Sequence, residues 1–363
     1  MKKHSTLLVF AALALRALSA QAQFTVDGTL GAAEVGTGTG KYQLLGSYAG
    51  THSVNDRGLK AIYLGTTATT LNVMVVATPE QTAYSAMVLY LDAPNRTGIA
   101  AGTRLPGSSN TSSQLRHRPT LDMQADFGFR ITVSPLNNSN NAMYLSRVNY
   151  TVAGTTYPEV GMGTGPKNGV AVTDAADPAM ARTAFATSAS VAANNATGWE
   201  FEIPLSALGG AANGDLFRVM AAYVADNGDF YSDVLPQVAG QTTDLGTDPN
   251  FTLIPRSQFY TYQVGSGPLA SRTEVANALG VTAYPNPLSH DSQLRYTVAG
   301  STQPVSVDVY NALGQRVLSL LNAEQKAGTY QTALAPVKAL APGHYLVKLQ
   351  VGSQLTSRHV VVE

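Results

Sequence analysis

The sequence predicts an all-β protein, a large jelly-roll-like β-sandwich followed by a small immunoglobulin- or fibronectin-like C-terminal sandwich. Three observations lead there. Short runs of residues alternate apolar with polar, the period of two that marks half-buried strands. With 33 Gly and 18 Pro in 363 residues, and many Ser, Thr and Asn, those runs are punctuated by tight turns. Cysteine is absent, which excludes disulfides, thiolate metal sites and a cysteine nucleophile, and leaves stability to sheet packing. Charged residues make up 13% of the chain and the formal net charge is zero. No basic stripe for nucleic acid is present, and nothing favours electrostatic attachment to an anionic surface.

The N-terminus has the three-part layout of a secretory leader. Lys2, Lys3 and His4 precede an apolar stretch from Leu7 to Leu15, and Ala20-Gln21-Ala22 supplies the small residues a signal peptidase needs. The stretch is far shorter than the roughly twenty residues that span a bilayer. Arg16 interrupts it further. Residues 1–22 are therefore expected to be a signal peptide, the alternative being a buried N-terminal helix, with the mature chain starting at Gln23. No later run suits a transmembrane helix. The length of the chain favours two domains, expected over 23–264 and 281–363 with a Gly-, Ser- and Ala-rich linker at 265–280.

In the large domain, Thr25-Val26-Asp27-Gly28-Thr29-Leu30 reads as a strand end with an Asp-Gly turn. Leu59, Ile62 and Leu64 lead through 65–70 into Leu71-Asn72-Val73-Met74-Val75-Val76, a hairpin. Met87-Val88-Leu89-Tyr90-Leu91 is continuously apolar, as in a strand buried on both faces. Strands are expected over 125–133 and 142–152, joined by the polar tip 134–141, while 101–119 and 157–193 read as mostly irregular. Gly198-Trp199-Glu200-Phe201-Glu202-Ile203-Pro204-Leu205 alternates, with Trp199, Phe201 and Ile203 on one face and both glutamates on the other. A strand over 216–225 then turns at Asp226-Asn227-Gly228-Asp229 into Phe230-Tyr231-Ser232-Asp233-Val234-Leu235-Pro236. In order and motif the domain resembles the carbohydrate-binding family 9-like (DOMON-like) sandwiches. That resemblance implies a glycan-binding role, although the Trp usual in the opening motif is missing near Glu34-Val35-Gly36.

Candidate ligand contacts follow from residue chemistry. Tyr42, Tyr48, Tyr84, Tyr157 and Tyr231 stand in or beside loops, where a ring could stack on a sugar. Trp199, the only tryptophan, reads first as core. Asp92, Asp226, Asp229 and Asp233 could supply oxygen ligands to calcium. No EF-hand spacing is present, and Asp226-Asn227-Gly228-Asp229 is more simply a type I′ hairpin turn. No other cofactor is implied. Catalytic motifs are absent: His52, His117, His290, His344 and His359 lack metal-ligand spacing, and there is no Gly-x-Ser-x-Gly elbow. The Gly36-Thr37-Gly38-Thr39-Gly40-Lys41 stretch has the wrong spacing for a phosphate loop. A hydrolase would have to use Glu200 and Glu202 as its carboxylate pair.

The texture becomes regular from Val281. Tyr284-Pro285-Asn286-Pro287 opens the segment. Leu294, Tyr296 and Val298 alternate as one strand, and Val305, Val307 and Val309 as the next. That second strand runs into the turn Tyr310-Asn311-Ala312-Leu313-Gly314. Val317, Leu318 and Leu320 follow, then Gly328-Thr329-Tyr330, Pro342-Gly343-His344-Tyr345 and the closing Val360-Val361-Val362. About seven short strands at this spacing make a small sandwich. The set closely resembles the type A C-terminal sorting domain of the type IX secretion system of Bacteroidota, with Tyr284, Pro285, Asn286, Pro287, Gly314, Gly343 and Tyr345 as its motif residues. Arg358 replaces the Lys often found before the closing strand. The resemblance implies recognition by the type IX translocon and sorting machinery, then cleavage, with the cargo passing through the periplasm to be released or held on surface polysaccharide. An ordinary fibronectin-like spacer is the bland alternative. The expected function is that of an exported, non-catalytic protein with a carbohydrate or envelope ligand. A structural or adhesive surface protein is the alternative.

Overall fold

In a computed structural model of the protein, the described residues are 24–79, 82–136, 141–152, 154, 157–269, 279–298, 302–352 and 354–363. The expected leader, residues 137–140 of the polar tip and residues 270–278 of the expected linker lie outside them. The chain divides into two units, Met1–Pro268 and Leu269–Glu363, each described by itself. Described strands make both units all-β.

In chain order the first unit carries β1 (Gln43–Ser47), β2 (Gly58–Thr66), β3 (Thr70–Thr78), β4 (Ala86–Asp92), β5 (Phe127–Val133), β6 (Ala142–Asn149) and β7 (Glu159–Pro166). It continues with β8 (Val172–Thr173), β9 (Arg182–Phe185), β10 (Gly198–Pro204), β11 (Leu216–Val224), β12 (Phe230–Leu235), β13 (Tyr260–Gln263) and β14 (Gly267–Leu269). One sheet has the order β1-β2-β3-β10-β9-β8, and the other β14-β13-β11-β4-β5-β6-β7 with β12 also paired to β11. The described pairings are antiparallel.

Alternation along the strands builds the core between these sheets. Trp199, Phe201 and Ile203 of β10 pair in register with Val75, Val73 and Leu71 of β3. All six side chains are buried together with Leu89 and Leu91 of β4 and Phe127 and Phe129 of β5. Trp199 stacks on Phe201 with centroids 4.8 Å apart, and its indole N–H donates to Thr183 Oγ1 at 3.3 Å. β4 is buried on both faces, as its continuous apolar run requires. Met87, Leu89 and Leu91 enter the shared core. Val88 and Tyr90 enter a second cluster with Leu105, Leu115, Leu121, Phe230 and Phe251. The irregular 101–119 region is thus a lid of side chains over the sheet. On that outer face Arg130 is paired with Glu159 at 3.1 Å and donates to Ser146 at 2.9 Å, so the buried charge has its counter-ion.

Three strands occupy the stretch expected to be loop at 157–193. β7 was illegible because three of its residues, Gly161, Gly163 and Gly165, erase the side-chain alternation. Gly165 is there for space: a Cβ would stand 2.7 Å from Val172. Part of the expected linker is strand as well, since β14 is hydrogen-bonded beside β13 at the sheet edge.

The outer face of the six-stranded sheet is covered by the segment 24–42, where Phe24 and Tyr42 bury against Ala61, Met74 and Val76. Glu200 pins this strap. Its Oε2 accepts the backbone N–H groups of Asp27 and Gly28, each at 2.9 Å. Its Oε1 accepts the Tyr42 hydroxyl at 2.8 Å. Gly28 has φ of 72°, and a Cβ there would lie 2.5 Å from the Ala186 nitrogen, so no other residue fits the turn. Glu200 was expected on an exposed face; it is fully buried, because the strap that the sequence placed at a strand end folds over it.

Burial raises the Glu200 carboxyl from 4.5 to about 7, against the lowering effect of its three hydrogen bonds. The folded unit therefore holds a proton that the unfolded chain releases between those values. Stability from this group is fully present below pH 4.5 and is lost as pH rises through 7, by on the order of 3 kcal/mol. Denaturant midpoints of the first unit should fall between pH 5 and pH 8, and Glu200→Gln should flatten that dependence. Parallel curves for the two proteins would contradict this.

Candidate functional site

The structure separates the five loop tyrosines. Tyr42 is fully buried, Tyr48 is 4% and Tyr157 5% exposed, so none of these three rings can serve as a stacking platform. Tyr42 is held by Glu200 and by Phe24 at 4.4 Å. Tyr48 donates to the Thr51 carbonyl at 2.9 Å, and Tyr157 packs on Tyr150 at 5.5 Å. Each sits near a loop in sequence, but the loops fold back as covering layers and take their rings inside. Tyr84 and Tyr231 are half-buried. Register brings them to one end of the larger sheet: Ala86 of β4 pairs with Val224 of β11, which pairs with Phe230 of β12. Tyr231 lies against Tyr223 at 4.7 Å. Asp226, Asp229 and Asp244 are close enough that, after burial, their charges hold its phenol above the usual range.

The four aspartates do not form one calcium site. Asp92 pairs with Arg218. Asp233, 1% exposed, accepts His52 Nδ1 at 2.6 Å, the Leu59 N–H at 2.8 Å and the Ser232 hydroxyl at 2.9 Å, tying β12 to β2. Asp229 accepts the Thr247 hydroxyl, and Asp226 is exposed. Among the described residues no three His, Asp or Glu side chains gather as metal ligands. The Asp226-Asn227-Gly228-Asp229 turn is not type I′. Gly228 alone of the four has positive φ, at 96°, whereas I′ needs it at both central residues. The Gly228 N–H closes on the Ala225 carbonyl at 3.0 Å. Glu200 is sealed under the strap, and Glu202 faces Arg182 at 3.5 Å. The two glutamates therefore do not present an open carboxylate pair.

Among the described residues the second unit is a sandwich of seven strands. Its described strands are β15 (Thr282–Tyr284), β16 (Gln293–Val298), β17 (Gln303–Tyr310), β18 (Arg316–Gln325), β19 (Gly328–Ala333), β20 (Gly343–Val351) and β21 (Gln354–Val362), and a short helix, α1 (Ala335–Lys338), lies between β19 and β20. The sheets run β15-β16-β19 and β18-β17-β20-β21. Val305, Val307, Val309, Leu349 and Val360 fill the space between them with Leu294 and Tyr296. The repeated Gly-x-Tyr motifs share one device. Tyr330 donates its hydroxyl to the Lys326 carbonyl and Tyr345 to that of Ala341, each at 2.9 Å and each four residues back. Each tyrosine thus locks the turn that starts its own strand. Gly314 occupies the turn after β17, where Asn311 Oδ1 accepts the N–H groups of Leu313 and Gln315, each at 3.0 Å.

Asn286 has a different task. Its side-chain amide lies along the free edge of β21, donating to the His359 carbonyl at 3.1 Å and accepting the Val361 N–H at 2.9 Å. The Leu288 N–H reaches the Val361 carbonyl at 2.8 Å. An amide side chain here replaces a peptide group of a neighbouring strand. Pro285 and Pro287 flank it, and Tyr284 is 79% exposed. Arg358 directs Nε and Nη2 to the Val281 carbonyl at 3.1 and 2.8 Å, joining the last strand to the start of the unit.

Residues 282–363 match the family described as secretion system C-terminal sorting domain. They are a type IX secretion sorting tail. The protein is accordingly cargo of the type IX system, engaged by its secretion machinery and exported to the cell surface or the medium. Among the described residues no helix is long and apolar enough to cross a membrane. No curated protein matches the chain. Among solved structures it is similar to dimeric latent PorU from Porphyromonas gingivalis, at 12% identity over 89% of this chain and 34% of that one, with a TM-score of 0.21. It is also similar to the BSP domain of a biofilm-associated protein, at 8% identity over 88% and 52% of the two chains, with a TM-score of 0.17. The chain thus spans about a third of the first and about half of the second, and overlaps of this quality carry no argument.

Within the sorting tail, Asn286→Ala leaves one N–H and one carbonyl of β21 without their partners. At about 1 kcal/mol net per hydrogen bond, it should destabilise the tail by about 1–2 kcal/mol. Arg358→Lys should cost less, because one ammonium N–H still reaches Val281. Chemical denaturation monitored in the tail checks both, and equal costs would contradict the reading of Asn286 as an edge partner.

Proposed function

We propose that the large unit of this exported cargo is a non-catalytic sandwich that binds a carbohydrate, of a polysaccharide or of the cell envelope, at the end bearing Tyr84 and Tyr231. The observation that carries the reading is the meeting of half-exposed aromatic rings with carboxylates there. Tyr231 lies within electrostatic reach of Asp226, Asp229 and Asp244, of which Asp226 and Asp244 are exposed. An aromatic face packs on the apolar side of a sugar ring, and carboxylates accept hydrogen bonds from its hydroxyls. The engaged state of Glu200 and Glu202 supports a binding role over hydrolysis. This reading requires no cofactor and no calcium. The leader at 1–22 would be removed on passage to the periplasm, the usual arrangement in Bacteroidota, before the tail delivers the protein outside.

Polysaccharide pull-down and a glycan array with the mature chain test this directly. Retention on at least one glycan is expected, weakened about tenfold by Tyr231→Ala or Tyr84→Ala, the loss of roughly one stacking contact. Tyr157→Ala, being interior, should instead lower stability. Binding to whole cells that survives glycan competition would favour a protein or matrix ligand and an adhesive role.

A further inference from the structure

The outer face of the four-stranded sheet of the sorting tail carries a cleft of ≈ 770 Å³. Strand register builds its floor. Tyr310 of β17, Leu346 of β20 and His359 of β21 form one cross-strand row, and Lys348 lies in the next. The Lys348 ammonium stands 5.7 Å from the centroid of the Tyr310 ring. His344 lines one end and Leu355, 45% exposed, the other. The turn after β17 forms a rim, with Leu313 beside it 83% exposed.

The cleft therefore presents an ammonium and two imidazoles around an apolar floor, and no carboxylate lines it. Asp308, the cross-strand neighbour of Lys348, is 3.6 Å from Arg316. The excess of cations belongs to the tail. Residues 281–363 hold six Lys and Arg against four Asp and Glu, whereas residues 24–268 hold thirteen against eighteen. A sheet face facing water need not combine exposed leucines with an ammonium, two imidazoles and a single carboxylate, Asp308, that Lys348 shares with Arg316; such a patch marks an interaction surface.

We propose that this cleft is where the tail docks an acidic, extended segment of the secretion machinery, placing a carboxylate against Lys348 and apolar side chains on Leu346 and Leu355. The docking rests on the identity of the tail and is independent of any ligand of the large unit. Desolvating Lys348 against a carboxylate gives register, and the leucines supply the buried apolar area.

The test uses the full-length chain in a bacterium with type IX secretion, comparing surface and medium with periplasm by fractionation and protease accessibility. Lys348→Glu and Leu355→Asp should each lower export at least tenfold, and Lys348→Gln should lower it less. Gln350→Glu, on the same strand but outside the cleft, should export normally. Denaturant midpoints of the purified variants separate lost docking from lost folding, and Lys348→Gln carries the test where Lys348→Glu does not fold. A photo-crosslinker at position 346 should capture a secretion component, identified by mass spectrometry, and lose it with Lys348→Glu. Wild-type export of folded Lys348→Glu and Leu355→Asp would overturn the proposal. So would binding of the wild-type chain to phosphatidylglycerol vesicles that Lys348→Glu abolishes, which would assign the cleft to anionic lipid.

Discussion

Strand β4 is apolar on both faces, and a sheet built around such a strand must be covered twice. One cover is the facing sheet, through Leu89 and Leu91 against Trp199 and Phe201. The other is the pair of long irregular segments that carry Leu105, Leu115, Leu121 and Phe251 over Val88 and Tyr90. The six-stranded sheet repeats the demand, met by the strap with Phe24 and Tyr42. With no cysteine to staple loops down, those segments are held by apolar burial and by carboxylates that accept backbone N–H groups. Glu200 holds the strap in this way, and Asp122 accepts the N–H of Gln258 in a covering segment. This covering explains why loop tyrosines became interior residues: on a sandwich with dressed faces, proximity to a loop does not mean proximity to water.

The tail protects the open edge of its larger sheet with side chains. In the tail, Asn286 lies along β21 as a one-residue substitute for a strand, and Arg358 ties the same strand back to Val281. Natural sheets protect edges because unpaired peptide groups recruit other chains. A side-chain amide does so without adding a strand that would have to be displaced later.

Much of this was legible in the sequence where side chains alternate. β2, β3, β4, β10 and β11 lie where period and turn chemistry put them, and Trp199 is core for the reason its neighbours Phe201 and Ile203 suggest. The tail was legible almost strand for strand, because its strands alternate cleanly and Gly marks the entries to β18, β19 and β20. β7 was hidden by its glycines, and β13 and β14 by their brevity. The site was harder to see. Burial of Tyr42, Tyr48, Tyr157 and Glu200 depends on segments distant in sequence, such as Asp27 and Gly28 meeting a carboxylate 172 or more residues away. The cleft of the tail left a fainter signal. His344, Leu346 and Lys348 occupy alternate positions of β20, opposite the buried Val347 and Leu349, so their outward direction could be read while their shared purpose could not.

The contacts of Asn286 and Arg358 with β21 make the tail a structure that is finished only when its last strand arrives. β20, Asn286 and Val281 all take partners from β21, so the sheet closes only with residues 354–362 in place. Loss of β21 would strip β20 of one neighbour and Asn286 of both its hydrogen bonds, and leave a tail that cannot close.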